Sequence, residues 1–192
     1  DKAGDNIEKA LSLVFNNDNK QQLLQLKGFI LIMKAEYGLS EEIFRKLIKE
    51  YGSSCPTLAG LGHIYNARKD YKLARKYFED ALKEPDTFSP ATGVINDKIT
   101  ALLGLGWVNA NERRYPEAIA CYEKVLKEEP LQVLALVSMG NVYNLLGEYS
   151  KAERYFKRAL EIDKNNEYAL AELGIVYLNK GDSEKSKELF NE

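Results

Sequence analysis

The stretch that decides the fold is residues 138–163, SMGNVYNLLGEYSKAERYFKRALEID. Apolar and small residues recur at helical spacing on both sides of Gly147, first Leu136, Met139, Gly140 and Tyr143, then Ala152, Phe156, Ala159 and Leu160. Gly147, like Gly181 in the last copy of the pattern, suits a tight turn, because glycine adopts the left-handed conformation at little cost. The stretch therefore predicts two antiparallel helices joined by a turn.

The same pattern occurs five times along the chain. A glycine anchors each copy, at Gly28, Gly62, Gly106, Gly140 and Gly174, with separations of 34, 44, 34 and 34 residues. Twelve residues after the glycine stands a small side chain, at Ser40, Ala74, Ala118, Ala152 and Ser186. Sixteen residues after the glycine stands an aromatic side chain, at Phe44, Phe78, Tyr122, Phe156 and Phe190. Repeats of this length predict an array of stacked units.

The recurrent glycine needs a reason, because glycine inside a helix costs about 1 kcal/mol relative to alanine. We attribute it to the crossing of the two helices of a unit, where the facing small residue lets the backbones approach. The aromatic residues are then expected to fill the remaining gaps and to wedge into the next unit.

This pattern resembles the tetratricopeptide repeat, a helix–turn–helix unit of about 34 residues. The resemblance implies an all-α solenoid in which antiparallel helix pairs stack into a right-handed superhelix. The repeats would be residues 21–54 (divergent), 55–88, 99–132, 133–166 and 167–192 (truncated).

Two further segments flank or interrupt the repeats. Residues 1–20 contain an amphipathic pattern over residues 5–15, predicted to form a helix that packs on the first repeat. Residues 89–98 are an insertion, predicted as a loop with a helix beginning near Asn96 or Asp97. This insertion is either a tolerated surface loop or a loop that folds over the partner site. Because no polar capping helix follows the last repeat, we infer either a longer parent protein or self-association through the exposed repeat end.

The resemblance also implies a concave groove, lined by the faces of the first helices that point away from the second helices. The predicted lining residues are Gln25, Phe29, Met33, His63, Asn66, Leu103, Trp107, Asn111, Val137, Asn141, Asn144 and Ile175. Leu134, Tyr168 and Leu178 fall on the same face. This lining is mainly apolar with several amides, which favours a helix or hydrophobic peptide over an acidic tail. The alternatives are that Phe29 and Ile175 pack between neighbouring first helices and that the insertion covers Trp107.

The clamp by which some family members hold a chaperone's C-terminal carboxylate is absent. Val137 stands where the clamp has lysine, and Glu172 stands where it has asparagine. We therefore predict no binding of such tails.

Catalysis and metal binding are not predicted. His63 is the single histidine and has no acidic residue three or four positions away, so a general base lacks its partner. Cys55 and Cys121 stand too far apart for zinc spacing or a disulfide framework. The prediction is therefore no enzyme, no metal and no cofactor.

Charge and hydropathy limit the remaining classes. The chain has 27 Lys+Arg against 29 Asp+Glu, a balance that argues against nucleic-acid binding. Its apolar run at Phe29–Met33 is too short to insert in a membrane. Free cysteines favour a reducing, cytoplasmic location, while a nuclear or periplasmic one stays open.

The sequence thus favours a scaffold or adaptor that binds a partner protein or peptide within a multi-subunit complex. The alternatives are a regulatory or targeting module of a larger enzyme and a self-assembling structural array.

Overall fold

The computed structural model describes residues 17–85 and 97–190. Within these ranges the chain forms helices and no strand, so the predicted all-α class is confirmed. The predicted helix over residues 5–15 lies outside the described residues, as does most of the insertion. The chain divides into two compact units, Asp1–Val108 and Asn109–Glu192, and their boundary falls inside a helix.

The helices occur in consecutive pairs. Those that begin in the first unit are α1 (Asn17–Met33), α2 (Tyr37–Tyr51), α3 (Cys55–Ala67), α4 (Tyr71–Lys83) and α5 (Asp97–Asn111). Those of the second unit are α6 (Tyr115–Glu128), α7 (Val133–Leu145), α8 (Tyr149–Ile162), α9 (Glu167–Asn179) and α10 (Ser183–Phe190). Helix α5 begins at Asp97, one of the two positions predicted for it. Each predicted repeat therefore contains a first and a second helix, with α1 and α5 beginning slightly earlier.

The five turns within the pairs share one geometry. At Gly147 the amide donates to the carbonyl of Asn144, and the next amide, of Glu148, donates to the carbonyl of Tyr143. The other four turns repeat this pair of bonds, which closes the C-terminal end of the first helix. Gly147 and Gly181 have φ of 74° and 82°, as predicted for left-handed turns. The sequence did not reveal that Ala35, Lys69 and Arg113 adopt the same conformation with φ near 60°.

Side chains satisfy the exposed amides at several helix starts. The carboxylate of Asp70 accepts from the amide of Leu73, and the amide oxygen of Asn166 accepts from the amide of Ala169. At the start of α3, the Ser54 amide donates to the hydroxyl of Thr57. Such caps set the residue at which each helix begins.

Aromatic rings occupy the space that the recurrent glycines leave. A Cβ built on Gly140 would lie 2.7 Å from the ring of Phe156, and one on Gly62 would lie 2.7 Å from the ring of Phe78. This corrects the sequence-based explanation, because the glycine makes room for a ring rather than only for a backbone. The hydrogen bond from Ser40 Oγ to the Gly28 carbonyl, 2.8 Å, shows that the small residue also approaches.

Two of these rings also reach the next repeat. The ring of Phe44 would clash with a Cβ on Gly60, and that of Phe78 with a Cβ on Gly104. Both rings thus lie against glycines from two successive first helices, as the predicted wedge requires. Phe44, Phe78 and Phe156 are fully buried and belong to the hydrophobic clusters of their units.

Two acidic residues of second helices form hydrogen bonds to the next repeat. Glu41 on α2 accepts from the hydroxyl of Tyr65, 24 residues later at 2.7 Å, and from Arg68, 27 residues later at 2.6 Å. Glu153 on α8 accepts from Tyr177 at 3.0 Å and Lys180 at 2.6 Å, at the same sequence separations. These ties fix the register between successive repeats.

Hydrogen bonds also shift the pKa of both tie carboxylates. Burial alone would raise the pKa of Glu41, but hydrogen bonds from Tyr65, Arg68 and Arg45 lower it to about 2. Bonds from Lys157 and Lys180 likewise lower the pKa of Glu153 to about 2. The carboxyl groups of Glu41 and Glu153 are therefore ionised at neutral pH.

Candidate functional site

In the first unit, the predicted lining residues differ in how far they reach solvent. Met33 and Trp107 are exposed, with 86% and 57% of their surface accessible. Gln25, Phe29, His63 and Leu103 are half-buried. Asn66 is 6% exposed, so its side chain is almost closed to a ligand. Fewer of the predicted lining residues in this unit are therefore exposed than the sequence indicated.

The half-buried rings of this unit lie on the repeated aromatic residues of the core. The ring of Phe29 meets that of Phe44 edge-on at 5.3 Å, and His63 meets Phe78 in the same way at 5.0 Å. Burial lowers the pKa of His63 to about 4, so the imidazole is neutral at physiological pH. Phe29 thus contacts the second helix of its own repeat, whereas its alternative interpretation placed it between neighbouring first helices.

Asn66 has an unusual environment. Its Oδ1 is buried and has no hydrogen-bond partner among the described residues. A buried amide oxygen without a donor is costly. Because its side chain is also closed to solvent, Asn66 offers little surface to a peptide backbone.

In the second unit, hydrogen bonds join the faces of α7 and α9. Asn141 Nδ2 donates to the hydroxyl of Tyr168 at 3.1 Å, and Asn179 Nδ2 donates to Asn144 Oδ1 at 3.0 Å. The two first helices therefore present one surface, which we call the α7–α9 face. The side-chain oxygen of Asn144 is thus already occupied by Asn179, and this hydrogen bond was not apparent from the sequence.

The α7–α9 face is apolar and almost uncharged. Leu134, Tyr168, Ile175 and Leu178 expose between 39% and 57% of their surface. Val137, in contrast, is 3% exposed and belongs to the core. Large apolar side chains at neighbouring surface positions are typical of binding sites, since monomeric proteins rarely expose contiguous apolar patches larger than roughly a few hundred Å².

Glu172 is the acidic residue among these side chains. It is half-buried on α9, one helical turn after Tyr168 and three residues before Ile175. Burial raises its pKa, and the hydrogen bond with Tyr168 offsets part of this effect. In the sequence, Glu172 indicated only that a carboxylate clamp is absent, and its place among these exposed side chains was not apparent.

Asn111 is exposed at the last position of α5, within the second unit.

The described residues offer little reactive chemistry. Cys55 and Cys121 are buried and form no disulfide, and Asn109 Nδ2 approaches Cys121 Sγ at 3.8 Å. No group of three His, Cys, Asp or Glu side chains in residues 17–85 and 97–190 is arranged to hold a metal ion. Within the same ranges, every helix is too short or too polar to cross a bilayer.

Family models for the tetratricopeptide repeat match most of the described chain. They cover residues 56–85, 100–131, 133–166 and 155–188. The last match begins within the predicted fourth repeat and runs into the fifth, so the exact repeat boundaries stay a prediction.

Curated relatives and solved structures agree with this match. The human cell division cycle protein 16 homolog is 27% identical over 81% of the chain, and anaphase-promoting complex subunit 3 of Schizosaccharomyces pombe is 22% identical over 88%. The chain spans only 26% and 30% of these two proteins. The crystal structure of PilW, a type IV pilus biogenesis factor, superposes with a TM-score of 0.77 over 98% of this chain and 81% of that one. At 18% identity, this last similarity concerns the fold alone.

Proposed function

The chain belongs to the tetratricopeptide repeat family, and from this premise we propose that it is a non-catalytic scaffold that binds a peptide or helix of another protein. The partner contacts the exposed faces of the first helices. The observation that carries this proposal is the exposure of large apolar side chains on those faces, at Trp107 in the first unit and at Ile175 and Leu178 in the second.

Burying these side chains supplies the binding free energy. Complete burial of a Leu- or Ile-sized side chain contributes about 1.5–3 kcal/mol relative to exposure. Aromatic anchors such as Trp107 are typical of the few residues that dominate an interface. The exposed aliphatic side chains of the α7–α9 face carry no charge, so burying them has a low desolvation cost.

Membership of a larger assembly is part of the proposal. One relative is named as a subunit of the anaphase-promoting complex. A repeat array with an apolar face suits a subunit that holds other subunits in place, since the fold presents an extended surface.

The test compares face variants with a matched control in affinity capture from native extract, quantified by mass spectrometry. Trp107→Ala and Ile175→Ala should each reduce capture of the same partner about tenfold or more. Leu39→Ala, which removes an equally exposed side chain from second helix α2, should leave capture unchanged. Circular dichroism checks that helicity is retained. Full capture by both folded face variants would refute the proposal.

A further inference from the structure

The charges of α7 and α9 are unbalanced. Neither helix contains a lysine or arginine, and α9 contains Glu167 and Glu172. Glu167 is exposed in the first turn of α9, whereas Glu172 is half-buried in the middle of the helix. The α7–α9 face therefore has an acidic centre within an apolar surface.

Glu172 has no cation beside it. Among the described residues it makes no ion pair, and the nearest lysine that follows α9, Lys180, is bound to Glu153 at 2.6 Å. Tyr168 stands one helical turn before Glu172 on α9, and its hydroxyl accepts a hydrogen bond from Asn141. A carboxylate that is half-buried and without a counter-ion suits a positively charged ligand group.

Apolar side chains adjoin this carboxylate. Ile175 lies three residues after Glu172 on the same side of α9, and Leu178 follows one turn later. Both are exposed. A ligand that follows α9 thus meets an acid first and two aliphatic side chains next.

We propose that the α7–α9 face binds a polypeptide segment of a partner that places a lysine or arginine beside the Glu172 carboxylate and apolar side chains against Ile175 and Leu178. This inference rests on the proposed function and adds the chemistry of the partner. The carboxylate selects a cationic side chain by charge complementarity, and the aliphatic residues supply the buried area. Acidic segments are rejected, because they would place like charges together in a partly desolvated site.

The test begins with a selection of 16-residue peptides from a displayed random library on the full chain. Binders are kept only if Ile175→Asp abolishes their binding, which assigns them to this face. Their sequences should be enriched in a lysine or arginine next to apolar residues. Selection on Glu172→Lys should instead enrich aspartate or glutamate.

A double-mutant cycle then measures the pairing directly. Replacing the basic residue of the best peptide by norleucine, or Glu172 by glutamine, should each weaken binding about tenfold. The two changes together should cost little more than either one, since each removes the same interaction. Glu161→Gln, the same change at an exposed position of α8, should have no effect. The norleucine peptide requires no change in the protein, so the result does not depend on the folding of a variant.

The outcomes separate the two proposals. Peptides that depend on Ile175 but show no basic enrichment and no coupling to Glu172 would overturn this inference and leave the scaffold function standing. Failure to select any peptide that Ile175→Asp abolishes would overturn both for this unit.

Discussion

Replacing Gly140 by alanine tests the explanation of the recurrent glycine. The added Cβ would lie 2.7 Å from two ring atoms of Phe156 and 2.9 Å from a third. Ordinary contacts between carbon atoms are about 3.5–4.0 Å, and the Phe156 ring is fully buried. We therefore expect Gly140→Ala to destabilise the fold despite the higher helix propensity of alanine.

The magnitude follows from two opposing effects. Adding a methyl group to a packed core typically costs about 1–3 kcal/mol. Alanine in a helix interior returns about 1 kcal/mol relative to glycine. The net loss is about 1 kcal/mol, which for a chain of this size lowers the melting temperature by about 2–4 °C.

Two other glycines provide matched controls. Gly38 lies in the first turn of α2 and a Cβ there would meet nothing within 4 Å, so Gly38→Ala should stabilise the fold. Gly147 is equally open but has φ of 74°, so Gly147→Ala should destabilise it through backbone strain alone. The same substitution thus has a different cause or sign at each of the three positions.

The assay is thermal and urea unfolding followed by circular dichroism, with midpoints compared among variants. Adding Phe156→Leu to Gly140→Ala removes the ring atoms that clash and should recover about 1 kcal/mol beyond additivity. The same second change should give no such recovery with Gly147→Ala. If Gly140→Ala raised the midpoint as Gly38→Ala does, or if Phe156→Leu gave equal coupling with both, the ring explanation would be wrong.

Three further predictions concern pH and backbone strain. The pKa values of Glu41 and Glu153 are about 2 in the folded chain against 4.5 for an unperturbed glutamate. Their stabilisation is therefore complete above pH 4.5 and disappears as the pH falls towards 2. Glu153→Gln should make the melting temperature depend less on pH in that window. The pKa of His63 is lowered from 6.5 to about 4, because the folded chain disfavours the charged imidazole. The melting temperature should therefore decline as the pH falls from 6.5 to 4. His63→Gln should remove this contribution to the decline in the same melting series. Lys69→Gly, at φ of 62°, should raise the melting temperature by relieving up to about 1 kcal/mol of left-handed strain, and an unchanged or lower value would contradict this.

Much of the architecture could be predicted because it depends on local spacing. The glycine, small and aromatic columns placed every helix pair, and Gly147 and Gly181 identified two of the five turns. Ala35, Lys69 and Arg113 could not be recognised as turn residues, since their side chains give no sign of a left-handed backbone.

The site was predicted less completely than the fold. Helical spacing grouped Asn141 and Ile175 on one surface, but it could not distinguish the exposed Ile175 from the buried Val137. Exposure depends on how the next helix covers each position, and that is a property of stacking. Glu41 precedes Tyr65 and Arg68 by 24 and 27 residues, and Glu153 precedes Tyr177 and Lys180 by the same separations. This repeated spacing could have predicted both sets of hydrogen bonds from the sequence.

The sequence by itself determined that the chain is a series of helix pairs, because a period of 3.6 residues and a repeat of 34 are written in the order of the side chains. Tertiary structure alone decided what fills the space beside each glycine, which face residues reach solvent, and that Glu172 lies half-buried without a cation. Those properties arise where residues distant in the chain meet, so they follow from the packing of successive helices rather than from any local pattern.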